Sequence, residues 1–478
     1  MNTIYYRNYK QEKYIFFSAL LCLLAVILIE YNKNWYGYTI ETFRFTIILG
    51  LLMFCIHTIL YSILNHKLLT LYYIFLLSFY IFQNGQMILY ALNIDYNYFY
   101  IERYELSYLV LCSLYSTYSL LIALFIAGLS MGTTRDKMHR MDRYNYAISK
   151  MAPIIFFINS IISIPLLLYK LRFAIIGDYY LVREIEGRIP FILGFIEYFF
   201  IPLGILALIY SVNNFQIRVL SMVIISWSIL TALVGDRTTG IAGILIVILI
   251  LINTKIITKR ALKSNWAKRG MPIILLLILL GYFIQIAYLY RVKEPITFKS
   301  IFSMNVIFLT LGELGFSFFP LLLSMRIVPQ IEAYELGRTY LYSIPGGIFP
   351  ESLDFTGIIR YTNEISRIPQ KWLEEHYSYN FGLGFSLNAE SFVNFGWFGL
   401  IAIFLICVIV ARVLKEPNFK NKSYKFSQYI SFVMLFIAIT LPRREIYYLI
   451  KGYVYNVILV SVLFILIGKL LKKTGSSS

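Results

Sequence analysis

Residues 219–254 read VLSMVIISWSILTALVGDRTTGIAGILIVILILINT. Two runs without a single charge meet at one polar turn, Gly235-Asp236-Arg237. Each run approaches the length of about 20 apolar residues that a helix needs to cross a bilayer core. A helix bonds its own backbone groups where hydrocarbon cannot, so the stretch reads as a hairpin of two membrane helices. The short alternating segments of a transmembrane β-barrel are not seen.

The rest of the chain follows suit. It has 478 residues, 59% of them hydrophobic, with a mean hydropathy of +0.70. The same reading predicts spans at about 14–30, 43–63, 68–91, 107–131, 151–169, 190–211, 219–235, 238–254, 271–290, 391–411, 427–442 and 447–468. The expected fold is therefore an all-α polytopic membrane bundle of about twelve helices. The run Tyr14 to Glu30 has no small-residue cleavage site after it and reads as a retained span; Gly475-Ser-Ser-Ser478 reads as an appended scar. Cys22, Cys55, Cys112 and Cys407 all lie in apolar runs without metal-ligand spacing, so they read as small hydrophobes.

Charge fixes the expected topology. Residues 1–13, 64–67, 132–150, 212–218, 255–270, 412–426 and the tail from Lys469 hold 24 Lys/Arg against four acids, Glu12, Asp136, Asp142 and Glu416. The opposite loops hold 19 Lys/Arg and 20 acids, and Glu197 lies inside a span. The positive-inside rule puts the first set, with both termini, in the cytoplasm. The net charge of +18 is thus mainly a topology signal, and nucleic-acid binding is the weaker explanation. Many of the 41 tyrosines fall at span ends, as interfacial belts do.

Four regions follow: nine spans over 1–290, a large extracytoplasmic loop of short helices over 291–390, three spans over 391–474, and the scar at 475–478. Within the loop, 301–325 is apolar enough to span, but a single extra crossing would put the basic loop 412–426 outside. Glu313 and Pro320 also weaken it as a lipid-facing helix. It reads as a part-buried or re-entrant helix; two crossings, the second within 326–350, are the alternative.

The candidate chemistry lies on the extracytoplasmic side. Arg237 sits in a turn too short to leave the membrane surface, Arg443 and Arg444 sit between the last two spans, and Arg291, Arg338, Arg360 and Arg367 flank or occupy the large loop. A guanidinium fork suits phosphate oxygens and keeps its charge. For any one of these arginines, pairing with a neighbouring acid is the plainer reading; Arg237 is favoured for function by its position. His376 is the one histidine on this side and could take a proton from a hydroxyl. Phe381-Gly-Leu-Gly-Phe-Ser386 leads into Glu390 at the mouth of a span, where a carboxylate could serve as a base or simply favour the helix dipole. Glu197 reads as a hydrogen-bonded, protonated or proton-coupled intramembrane acid. There is no Walker A loop, HExxH or DxD, and the cytoplasmic loops hold too few acids for a metal-dependent nucleotide-sugar site.

The layout of spans, the large loop before the tenth, Gly235-Asp-Arg237, and the stretch Gly382-x-Gly384-x-Ser386 through Ala389-Glu390 to Asn394-Phe-Gly396 together resemble the Wzy-type O-antigen and capsule repeat-unit polymerases. The layout is also similar to that of the related O-antigen ligases and GT-C-type glycosyltransferases. The resemblance implies a bacterial inner-membrane glycosyltransferase. A hydroxyl of one lipid-linked repeat would attack the growing glycan, and undecaprenyl diphosphate would leave. It implies His376 or Glu390 as base, and Arg237, Arg338, Arg360 and Arg443 at the diphosphate. A membrane co-polymerase that sets chain length is an implied partner, and no cofactor or metal is called for. A flippase of lipid-linked oligosaccharides is the rival outside enzymes, although no two related halves are evident; an O-antigen ligase is the rival within them.

Overall fold

The computed structural model describes residues 2–65, 70–94, 104–131, 144–176, 179–255, 281–282, 285–286, 289, 295–301, 305–350, 354, 356–367, 371–372, 375–376, 385–415 and 425–475. Every regular element among them is helical. In chain order the main helices are α1 (Asn2–Tyr36), α2 (Ile40–Asn65), α3 (Leu71–Ala91), α4 (Leu106–Ser130), α5 (Asn145–Ile176), α6 (Tyr179–Arg188), α7 (Phe191–Tyr198), α8 (Phe200–Tyr210), α9 (Asn214–Val234), α10 (Arg237–Ile250), α11 (Val306–Leu314), α12 (Phe318–Ile327), α13 (Arg338–Ile348), α14 (Ile358–Ser366), α15 (Leu387–Phe395), α16 (Gly399–Val413), α17 (Lys425–Thr440), α18 (Ile446–Tyr453) and α19 (Val460–Gly475), with short helical turns between some of them.

Eleven stretches among the described residues are helices long and apolar enough to cross a membrane, and Arg237–Asn253 is a shorter apolar helix beside them. The chain is a polytopic helical membrane protein. Ile307–Ile327, the segment expected to re-enter, is one of the eleven, with a tighter turn at Gly315–Ser317. The expected span 271–290 lies almost wholly outside the described residues.

The chain divides into two compact units. The first comprises residues 1–134, 311–416 and 437–452. Its α4 packs against α1, α2 and α16, and α12 packs against α4 and α15. Tyr14 of α1 spends its hydroxyl on the Leu124 carbonyl, 2.9 Å away. The middle of α3 reads Gln83-Asn84-Gly85-Gln86 and is buried. Gln86 Nε2 donates to the Gly312 carbonyl at 2.8 Å, and Gln83 Nε2 to the Pro442 carbonyl at 2.6 Å. A Cβ at Gly85 would run into the Leu311 carbonyl and the backbone of Gly315. Small residues of this kind let membrane helices meet backbone to backbone, and here the approach brings the glutamines within reach of main-chain acceptors.

The second unit comprises residues 135–310, 417–436 and 453–478. The quoted hairpin is here: α9 ends at Gly235, whose φ of +125° favours glycine. Asp236 then caps α10 by accepting from Thr239 N at 3.1 Å and from the Thr239 hydroxyl at 2.6 Å. α5 packs against α7, α8 and α9. It carries Lys170, whose ammonium meets Glu197 at 2.7 Å and Glu186 at 3.3 Å. The intramembrane acid is thus in an ion pair, with about a tenth of each side chain exposed. A buried pair is costly to break from one side, because the other charge is left without a partner.

This pairing gives a test. Lys170→Met should lower stability by about 3–5 kcal/mol, read as a lower thermal midpoint of the purified protein in detergent. Lys170→Met with Glu197→Met should recover most of the loss. Equal melting of the single and double variants would remove the structural role.

Candidate functional site

The site grows from the end of α15. Its last turn has carbonyls with no partner inside the helix, and residues 335–337 supply them. Glu335 N donates to the Val393 carbonyl at 3.1 Å and Leu336 N to the Asn394 carbonyl at 3.0 Å. Gly337 N donates to Asn394 Oδ1 at 3.0 Å. The loop makes these bonds through left-handed backbone at Leu336, φ +48°, and Gly337, φ +89°. Such a conformation costs a non-glycine residue about 1–2 kcal/mol, and the run of bonds offsets it. The loop delivers Arg338 to the first position of α13.

Asn394 also works inward. Its Nδ2 donates to the Thr339 hydroxyl at 2.7 Å and to the Glu390 carbonyl at 2.8 Å. Thr339 in turn donates to Glu390 Oε1 at 3.3 Å. The other oxygen of Glu390, Oε2, accepts from Ile446 N at 2.7 Å. Glu390 is fully buried, so each of its carboxyl oxygens spends itself on a neighbour rather than on solvent. The link between α17 and α18 is therefore held at both ends: Gln83 takes the Pro442 carbonyl and Glu390 takes the Ile446 N–H.

That link carries Arg443, Arg444 and Glu445. Glu445 is 4% exposed. Burial pushes its carboxyl up to about 7, with Arg367 and Arg444 pulling the other way. Arg367, just past α14, lies over the Tyr447 ring at 5.5 Å, and Lys451 lies over the same ring at 5.6 Å. Arg444 lies over the Tyr448 ring at 4.9 Å. Aromatic faces attract and orient cations. The result is a cluster of three cations and one buried acid on two helix ends, all within the first unit.

The other expected residues are spread more widely. His376 Nε2 meets Glu332 Oε1 at 3.2 Å, and both side chains are partly exposed. Glu335, one turn further on, is held high by burial, opposed by Arg338 and reinforced by Glu332. Arg338 reaches Glu335 at 3.5 Å. Arg360 reaches Glu364 at 3.5 Å and is largely exposed; its backbone N–H donates to Asp354 at 2.7 Å. Arg443 is half-buried on the link beside Arg444. Arg237 belongs to the second unit, half-buried at the start of α10. Arg291 and Phe381–Gly384 lie outside the described residues. No group of three or more His, Cys, Asp or Glu suited to a metal occurs among the described residues.

Glu445, Thr339 and Asn394 had not been singled out as site residues from sequence. The available signal for Glu445 was Arg443-Arg444-Glu445, three charges in a row between two apolar runs.

A family model described as O-antigen polysaccharide polymerase Wzy matches residues 14–474. No curated protein matches the chain, and no solved structure does.

The Glu445 environment predicts a pH signature. A carboxyl that binds its proton more tightly when folded loses stability as pH rises. The loss should run from about 4.5, the ordinary value, to about 7. Glu390, Arg367 and Arg444 are the charged neighbours that act on it or are acted on by it. Glu445→Gln should flatten that part of the melting-temperature profile relative to wild type, and parallel profiles would contradict the assignment.

Proposed function

The chain belongs to the O-antigen polysaccharide polymerase Wzy family, a repeat-unit polymerase of the membrane, and on that premise we propose that it transfers the growing glycan from undecaprenyl diphosphate to a hydroxyl of another lipid-linked repeat on the extracytoplasmic face. The observation that carries this reading is the cluster of Arg367, Arg444 and Lys451, ordered on Tyr447 and Tyr448 beside the buried Glu445. A diphosphate leaving group develops charge in the transition state, and fixed cations stabilise that charge at little reorganisation cost. Arginine forks match phosphate oxygens in pairs.

Arg443 and Arg338 are assigned to the same cation set: Arg443 lies on the link held by the Gln83 and Glu390 bonds, and Arg338 opens α13, which follows the loop held by Asn394. Arg360 is more exposed and suits the rim. Arg237, in the hairpin turn of the second unit, is taken as a phosphate-binding residue from its sequence position alone. His376, oriented by Glu332, has a second ring nitrogen to offer to the acceptor saccharide. Glu390 serves best as the residue that positions the link, because both of its oxygens are already engaged.

Two features speak for transfer rather than flipping. Hydrogen bonds at the ends of α15, α13 and α18 fix a small number of groups, and the cations stand beside an acid able to exchange a proton near neutral pH. In cells, Arg444→Gln and Arg367→Gln should each cut polymer at least tenfold and leave single-repeat lipid-linked units to accumulate, measured by gel ladders and lipid extraction. Arg237→Ala should act in the same direction. Normal polymer length and amount in all three variants would sink the diphosphate assignment.

A further inference from the structure

We propose that Glu445 is the group that removes the proton from the acceptor hydroxyl during coupling, a role that rests on the polymerase reading given above. The case begins with what surrounds its carboxyl. Glu445 is 96% buried by side-chain packing, being 4% exposed. Its main-chain carbonyl accepts from Tyr448 N at 3.1 Å. Among the described residues, nothing donates to its carboxyl oxygens. Glu390, fully buried, has a donor on each oxygen, whereas the buried Oε2 of Glu335 has no hydrogen-bond partner among the described residues, with Arg338 standing 3.5 Å away. A mostly buried carboxyl gains from each donor it acquires. A ligand hydroxyl that donates to it would supply the missing bond.

The second observation is rigidity. The link that carries Glu445 is held before it by Gln83 on Pro442 and after it by Glu390 on Ile446. A reacting group must be held close to its working geometry, and two hydrogen bonds within five residues do so here. The third is the neighbourhood. Arg367 and Arg444 are the cations that act on Glu445, and they are also the pair assigned to the departing diphosphate. Base and leaving-group site therefore sit on the same short link and the adjoining end of α14.

The step balances without any further reagent. The acceptor O–H bond breaks as its proton moves to a Glu445 carboxylate oxygen. The acceptor oxygen forms a bond to the anomeric carbon, and the bond from that carbon to the diphosphate oxygen breaks. The electron pair leaves with the lipid diphosphate, next to the guanidinium groups of Arg367 and Arg444. Glu445 returns its proton to water after the product moves on. A carboxyl that titrates near 7 is suited to this exchange at neutral pH.

The test uses the full-length protein in proteoliposomes, with lipid-diphosphate-linked single repeats extracted from cells that lack the gene. Single-turnover coupling and binding of the same repeats are measured for wild type, Glu445→Gln, Glu445→Asp and His376→Ala across pH 5–9. Glu445→Gln should slow coupling about 100-fold or more and keep repeat binding within about twofold of wild type. Glu445→Asp should retain a measurable rate with a displaced acid limb. Near-normal coupling by Glu445→Gln, or an acid limb that vanishes in His376→Ala and persists in Glu445→Asp unchanged, overturns the proposal. Should Glu445→Gln fail to fold, the acid limbs of wild type and Glu445→Asp decide the matter alone. If wild type itself forms no polymer from these repeats, it is the polymerase reading that fails; if wild type couples and Glu445→Gln does too, only the role of Glu445 fails.

Discussion

A carboxylate inside a packed helix of a membrane protein has to find donors, and the bond from Ile446 N to Glu390 is how this one does so. Much of the first unit is arranged around that requirement. One oxygen of Glu390 takes the Ile446 N–H, and the other takes the Thr339 hydroxyl, which in turn accepts from Asn394. Bonds in such a chain reinforce each other where the dielectric is low. Glu390 and Asn394 stand one turn apart on α15, so a single helix face ties down the start of α13 and the link before α18. Remote parts of the chain are held in a common frame by groups that would be costly to bury alone.

The polar groups divide by whether they are satisfied. Lys170 with Glu197, and Asn394 with its three bonds, are closed on themselves. Such arrangements stiffen the protein and leave little to offer a substrate. Glu445 is different, because it is buried among cations without a donor on its carboxyl among the described residues. His376 is different in another way, being partly exposed and, among the described residues, paired at one nitrogen. Of the two residues read from sequence as candidate bases, Glu390 has both carboxyl oxygens bonded, and His376 has one ring nitrogen on Glu332.

The helices were legible because their signal is local. A run such as 238–254 is apolar along its whole length, and hydrocarbon admits few other structures. The hairpin turn was legible for the same reason, since Gly235 and Asp236 supply a left-handed backbone and a helix cap within two residues. The arginines were visible as residues, and Arg443 and Arg338 do lie on the elements that the Glu390 and Asn394 bonds position. What could not be read was which of them has an acid beside it and which is stacked on a ring.

The sequence by itself determined a polytopic helical membrane protein, and it pointed to the family through its layout and the stretch around Glu390. Only the tertiary structure decided the partners of Glu390 and the setting of Glu445. The partners of the 442–446 link come from α3 and α15; Gln83 and Pro442 are 359 residues apart in the chain. Hydropathy acts over one helix length, whereas a hydrogen bond joins whatever packing brings within about 3 Å. A carboxylate read alone therefore shows only its charge, and the donors that meet it, contributed from far along the chain, are visible only in the fold.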